Sequence, residues 1–281
     1  MELTERFSWR GRDVAWGSGG AGPAVVFCHG TPWSSRLWEP YADALSQQFT
    51  VYLWDMPGYG ESSMQPSAAV DLGVQAELFA DLLAHWELNR PHIVAHDFGG
   101  VVSLRALLLH QAAFASLALV DVVALRPWGS EYFRLVRENA DVFAAQPLAV
   151  HRGALEAYVS GASHRGLTTE QLAMLTRPWT TPQGQDAFYR QIAQADERFT
   201  AEVEQSYADI DIPVAVIWGR EDGWIPVDRA YRLAEIIPGC ELKIVPEAGH
   251  LIQLDQPVAL ATTLHSWLAR RSESAPSEGA T

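Results

Sequence analysis

The sequence predicts an α/β protein: a doubly wound, mostly parallel sheet with a helical cap inserted into it. Three observations predict this. Short β-branched runs alternate with amphipathic helical stretches up to residue 121. From Val122 to about Tyr207 the strand signal vanishes, and helical segments broken by Pro127, Pro147, Pro178 and Pro182 take over. Strands then return, so the insertion interrupts one domain and does not separate two. The expected organisation is a core of residues 1–121 and 209–271, a cap of residues 122–208 and a disordered polar tail at 272–281.

Each element has its own justification. PAVVFC (23–28), VYLWD (51–55), HIVAH (92–96) and SLALVD (116–121) are short apolar runs bounded by turn residues, the pattern of buried parallel strands. PVAVIW (213–218) and ELKIV (241–245) repeat it after the insertion. Residues 37–47, 70–88 and 101–111 carry apolar side chains at three-to-four spacing with charges opposite, as helices covering a sheet should. Residues 227–237 and 256–270 are expected to cover it after the insertion. No internal repeat interrupts this order.

Composition narrows the function. The chain has 281 residues, 48% of them hydrophobic, enough to bury a large core. Its net charge of −14, with lysines and arginines scattered, excludes a phosphate-tracking patch, so no nucleic acid is expected as partner. Only Cys28 and Cys240 occur, which predicts a reduced compartment and no disulfide framework. The charged N-terminus MELTERFSWRGRD has no apolar signal core, and no run is long enough to span a bilayer, so no membrane and a cytoplasmic location are expected. No phosphate-binding glycine loop follows the first predicted strand and no metal ligands cluster, so no cofactor and no metal are expected.

The segment HIVAHDFGG (92–100) is the most informative stretch. A strand run breaks into a small-residue turn, as a strained strand-to-helix elbow requires, with Ala95 and Gly99 beside Asp97. A carboxylate exposed there can attack an electrophilic carbon and form an ester on the protein. Read alone, Asp97 is better explained as a helix N-cap. Three further motifs follow the required order: HGTPW (29–33) after a strand, WGREDGW (218–224) after the penultimate strand, and EAGHLIQLDQP (247–257) after the last. Asp222 read alone is as well explained as a turn residue of REDG as a catalytic acid, and His250 as a loop histidine.

Together the four motifs resemble the epoxide hydrolase and haloalkane dehalogenase branch of the α/β-hydrolase fold, over residues 20 to 270. The resemblance implies Asp97 as nucleophile, His250 as base and Asp222 as its orienting acid. It assigns the oxyanion hole to the backbone N–H groups of Thr31 and Phe98. Ester hydrolysis needs such a base, because water is a weak nucleophile at neutral pH and a carboxylate on the other ring nitrogen fixes the tautomer. Asp121, at the end of the strand after the nucleophile helix, is a second candidate acid. His96 is expected to pack away from Asp97 by strand alternation, and Ser163 in GASHRG to be a loop residue.

The leaving group divides the readings. FYRQ (188–191) resembles the cap tyrosine of epoxide hydrolases, which makes Tyr189 the expected donor to the alkoxide, and Tyr132 or Tyr158 a second. Haloalkane dehalogenases instead hold halide with a tryptophan after the nucleophile and a second tryptophan or asparagine; here Phe98 and Thr31 stand there, leaving Trp33, Trp128 or Trp179 as alternative donors. Haloacid dehalogenation would call for arginines where Phe98 and Val101 lie. Trp33, Phe98, Trp128, Tyr132, Tyr158 and Trp179 are the expected substrate-binding residues. The expectation is a hydrolase opening a small apolar epoxide with water, acting alone or as a homodimer. A haloalkane or haloacid dehalogenase is the alternative, and a noncatalytic ligand-binding protein of the same fold is the remoter one.

Overall fold

The computed structural model describes residues 1–273. Eight strands form one sheet in the order β1-β2-β4-β3-β5-β6-β7-β8. They are β1 (Glu5–Trp9), β2 (Arg12–Gly20), β3 (Ala24–Cys28), β4 (Thr50–Trp54), β5 (His92–Asp97), β6 (Ser116–Val122), β7 (Val214–Gly219) and β8 (Glu241–Val245). β1–β2 and β2–β4 pair antiparallel, and every other pairing is parallel. The six parallel strands are those expected. β1 and β2 are an addition: a hairpin closed by Arg10 and Gly11, both at positive φ (49° and 78°), as a two-residue turn of this hand requires.

Alternation along the strands feeds two cores. Val26, Cys28, Ile93, Ala95, Leu117, Leu119, Val214 and Val216 pack on one face. Val25, Phe27, Val94, Ala118, Val120, Ala215 and Ile217 pack on the other. Every residue of β5, β6 and β7 is buried, which is why their sequences read as continuous apolar runs.

The covering helices begin with α1 (Glu39–Leu45), α2 (Leu72–His85) and α3 (Phe98–Leu109). Asp71 caps α2 by accepting from the N–H groups of Gly73 and Val74, both at 3.0 Å. Between β6 and β7 lie α4 (Glu131–Glu138), α5 (Ala140–Ala144), α6 (Leu148–Ser160), α7 (Thr169–Thr176), α8 (Pro182–Gln194) and α9 (Arg198–Glu204), with no strand among them. After β7 come α10 (Asp228–Ile236), α11 (Ile252–Asp255) and α12 (Pro257–Glu273). Two expected boundaries move: β6 runs on to Val122, and Ser272 and Glu273 belong to α12, while the rest of the expected tail lies outside the described residues. Cys28 and Cys240 are unpaired thiols. No helix among the described residues is long and apolar enough to cross a membrane.

Candidate active site

The elbow forms where β5 meets α3. Asp97 sits at φ 50°, ψ −118°, in the left-handed half of conformational space, with 4% of its surface exposed. Its surroundings must be small. A Cβ on Gly99 would lie 2.5 Å from the Cys28 carbonyl oxygen, and one on Gly30 would lie 2.4 Å from Asp97 Oδ1. Gly99 fills the role expected of it, and Gly30 of HGTPW adds a second.

Three groups line up across the sheet's carboxyl edge. Asp97 Oδ1 accepts hydrogen bonds from the Thr31 and Phe98 N–H groups, each 2.6 Å away. Asp97 Oδ2 lies 3.3 Å from His250 Nε2. His250 Nδ1 donates to Asp222 Oδ2 at 2.9 Å. The other Asp222 oxygen accepts from the N–H groups of Trp224 (2.7 Å) and Ile225 (2.9 Å), so an Asx-type turn fixes the carboxylate. Asp97 is therefore both capped like a helix start and open on one oxygen.

The electrostatics follow from burial. Removing His250 from water favours its neutral ring and is the largest single effect, but the charges and hydrogen bonds of Asp222 and Asp97 together outweigh it and raise its pKa to about 10. His250 holds its proton while Asp97 is ionised. Asp121 behaves differently: it is fully buried, the pairing of β5 with β6 skips it, and it accepts only the Gly219 N–H, at 2.7 Å. Burial, reinforced by the charge of Asp222, pushes its pKa well above the carboxylate range. The proton on His250 Nδ1 goes to Asp222, and Asp121 lies behind the row without a hydrogen bond to the ring.

Above Asp97 lies a narrow pocket walled by Thr31, Phe98, Val123, Trp128, Gly129, Ser130, Phe133, Tyr158, Trp224 and Ile225. Of the expected substrate-binding residues, Phe98, Trp128 and Tyr158 are among the walls. Tyr189 is not. It is 1% exposed and packs inside the cap against Phe143 and Phe188, its hydroxyl 2.9 Å from His151 Nδ1. The other His151 nitrogen lies 3.0 Å from the Trp179 carbonyl and so carries the ring proton, because a carbonyl only accepts. Nδ1 must then accept, and the Tyr189 proton is committed. The expectation for Tyr189 is corrected on that ground.

Tyr158 is the cap tyrosine that lines the pocket. Burial and, after it, the nearby charge of Asp97 push its pKa upward, so its hydroxyl keeps its proton, and Ser130 shares the pocket wall with it. Tyr132 packs beside the Tyr158 ring, with centroids 5.0 Å apart, and does not line the pocket. Trp33 and Trp179 are not walls either. Trp33 stacks behind Trp224 at 5.5 Å, and the Trp179 indole donates to the Pro32 carbonyl at 2.8 Å. The Trp128 indole donates to Thr200 Oγ1 at 3.1 Å.

Sequence reasoning passed over Trp224, Phe133 and Ser130. Trp224 stacks on His250 (5.1 Å) and on Tyr158 (4.4 Å). The available signal was its place two residues after Asp222, where an Asx turn exposes the next side chain. His96 also proved more than packing: its ring lies 4.8 Å from His250, and its Nε2 bonds the His250 carbonyl at 3.0 Å. Burial holds His96 neutral. Among the described residues no cluster could hold a metal ion.

A buried carboxylate on an elbow, a histidine and a second carboxylate in one row define a hydrolytic site on a sheet of this topology. The family model of the α/β-hydrolase fold matches residues 23–257, so the chain belongs to that family, as a hydrolase of the α/β fold. Among solved structures, an α/β-hydrolase fold protein of Burkholderia ambifaria is 41% identical with a TM-score of 0.92, over 95% of this chain and 98% of that one. A haloalkane dehalogenase of Agrobacterium tumefaciens shares the fold at 20% identity and TM-score 0.81, over 95% and 96% of the two chains. A pimeloyl-[acyl-carrier protein] methyl ester esterase of Vibrio cholerae is 27% identical, over 91% of this chain and 98% of its own.

Proposed function

We propose that this hydrolase opens an epoxide on a small apolar substrate through an ester on Asp97. The observation that carries the reading is the division of labour on the Asp97 carboxylate: Oδ1 rests on two N–H groups at 2.6 Å, and Oδ2 is left facing the pocket and His250. A carboxylate so held is a nucleophile for a saturated carbon. With an acyl ester it would form an anhydride, more reactive than the substrate, so the ester hydrolysis named for the Vibrio cholerae relative is a poorer match here.

In the first step Asp97 Oδ2 attacks an epoxide carbon, the carbon–oxygen bond of the ring breaks, and the alkoxide takes the Tyr158 proton. Esterification removes the Asp97 charge, one of the two that held His250 protonated. The imidazolium then releases its proton, which restores Tyr158, and becomes the base. Water, deprotonated by His250, attacks the ester carbonyl carbon. The oxyanion develops on Oδ1, already on the Thr31 and Phe98 N–H groups. Collapse breaks the Cγ–Oδ2 bond, His250 protonates Oδ2, which leaves as a hydroxyl of the diol, and the water oxygen stays on Asp97, whose remaining proton passes back to His250.

Halide release is less well supported. The indole N–H groups of Trp128 and Trp179 are committed within the protein, the Thr31 hydroxyl donates to Gln191 Oε1 at 2.8 Å, and the Trp33 indole, whose N–H has no partner among the described residues, stacks on Trp224 and does not line the pocket. No arginine or lysine lines the pocket to hold a haloacid carboxylate. The test is a single turnover of a styrene oxide-type epoxide in isotopically heavy water, followed by mass spectrometry of the Asp97 peptide. Label is expected in Asp97, because water attacks its carbonyl carbon. Turnover that leaves Asp97 unlabelled would overturn the covalent route.

A further inference from the structure

Asp255 stands five residues beyond His250, in α11, and is 2% exposed. Its carboxylate gathers donors from two distant parts of the chain. Oδ2 accepts from the Gly249 N–H at 2.7 Å and the His164 N–H at 2.8 Å. Oδ1 accepts from the Arg165 N–H at 3.2 Å and the Ser163 hydroxyl. Gly249 immediately precedes His250, while Ser163 to Arg165 follow the last turn of α6, the turn that carries Tyr158. On the other side of the histidine, the Leu251 N–H donates to the Ala162 carbonyl at 3.1 Å. The two segments touch so closely that a Cβ on Gly249 would lie 2.7 Å from His164 N and 2.8 Å from Ala162 O. GASHRG, which contains no nucleophile, is thus a strap laid across the histidine loop.

We infer that Asp255 is a positioning residue that joins the loop of His250 to the end of the helix bearing Tyr158, holding base and proton donor as one unit. A buried carboxylate with four donors resists displacement, because each donor moved away would be left unsatisfied. Backbone on both sides of His250 is then fixed by the strap, and the ring keeps its aim at Asp97. The inference rests on the roles given above to His250 and Tyr158.

Asp255→Asn preserves shape but turns an NH2 group toward N–H donors. The expected result is a fall of about 10- to 100-fold in kcat, the scale of a misaimed catalytic group, with KM within about threefold. The Asp97 ester should accumulate in single turnover, because hydrolysis depends on His250 more than its formation does. Proton NMR of the substrate-free protein gives a separate readout: the low-field signal of the His250–Asp222 hydrogen bond should shift or broaden. A lowered melting temperature with that signal and kcat unchanged would make Asp255 a structural tie alone and overturn the inference. Should Asp255→Asn fail to fold, Ser163→Ala removes one donor; a twofold to tenfold loss of kcat with the same NMR shift is expected, and no change in either overturns it. If no epoxide is turned over, the functional reading fails by itself, and the NMR signal still decides the role of Asp255.

Discussion

Exchanging one hydroxyl at Tyr158 and one at Tyr189 tests which cap tyrosine faces the chemistry. Tyr158→Phe keeps the ring, and with it the stack on Trp224 at 4.4 Å, so substrate should still be gripped and KM should stay within about twofold. The lost hydroxyl would no longer protonate the leaving alkoxide. Positioned proton transfer contributes ~10²- to 10⁴-fold, and the Ser130 hydroxyl also borders the pocket and offers partial replacement, so kcat should fall toward the lower end, about 10²- to 10³-fold. That corresponds to about 3–4 kcal/mol of transition-state stabilisation at 1.4 kcal/mol per tenfold. Tyr189→Phe should behave oppositely. It leaves His151 Nδ1, 2.9 Å from the present hydroxyl, without its donor inside the cap, at a cost of about 1–3 kcal/mol in stability and little in rate. The assay is diol formation from a styrene oxide-type epoxide at saturation, paired with thermal denaturation. A slow Tyr189→Phe beside a near-normal Tyr158→Phe would refute the placement of the proton donor.

Further outcomes follow from the same geometry. His250→Gln should form the Asp97 ester and fail to hydrolyse it, so the Asp97 peptide gains the substrate mass in the mass spectrum; an unmodified peptide after exposure to a turned-over substrate would count against the base role. Gly30→Ala would bring a Cβ to 2.4 Å from Asp97 Oδ1 and should reduce kcat at least about 100-fold, because the nucleophile must shift. His250 has a folded-state pKa near 10, above its unfolded value of about 6.5, so its contribution to stability is complete below that lower value and is lost as pH rises toward 10. Urea titrations should show stability falling across that interval in the parent protein and less steeply in His250→Gln. Asp97→Asn removes one of the two anions beside the ring, and NMR titration should find the His250 pKa lowered.

Much of this was legible in the chain. The central strands β5, β6 and β7 announce themselves because burial on both faces leaves no polar alternation to confuse, as in HIVAH and SLALV. β1 and β2 were passed over because they lie at the sheet's edge, where Glu5, Arg6 and Arg12 interrupt the apolar signal and glycines crowd the end of β2. Asp97, Asp222 and His250 were readable because Asp97 ends β5, and Asp222 and His250 lie three and five residues beyond β7 and β8, so the sheet brings them together. The pocket wall was not. Tyr189 and Tyr158 lie on different cap helices, and which ring lines the pocket depends on how α6 and α8 pack, information spread over residues far apart in sequence. The Trp128 indole looked free until its partner Thr200, 72 residues away, was in place.

The two N–H groups that hold Asp97 Oδ1 have a pharmacological consequence. In a serine hydrolase the equivalent donors wait for the substrate, and boronates or phosphonates gain affinity by filling them with an oxyanion of their own. Here the protein's own side chain occupies them in the resting state, at 2.6 Å from each donor. Reagents of that kind would have to evict a charged residue before binding. The chain should therefore be indifferent to broad serine-hydrolase inhibitors, and effective ligands should instead imitate the neutral, hydrogen-bond-accepting substrate beneath Tyr158.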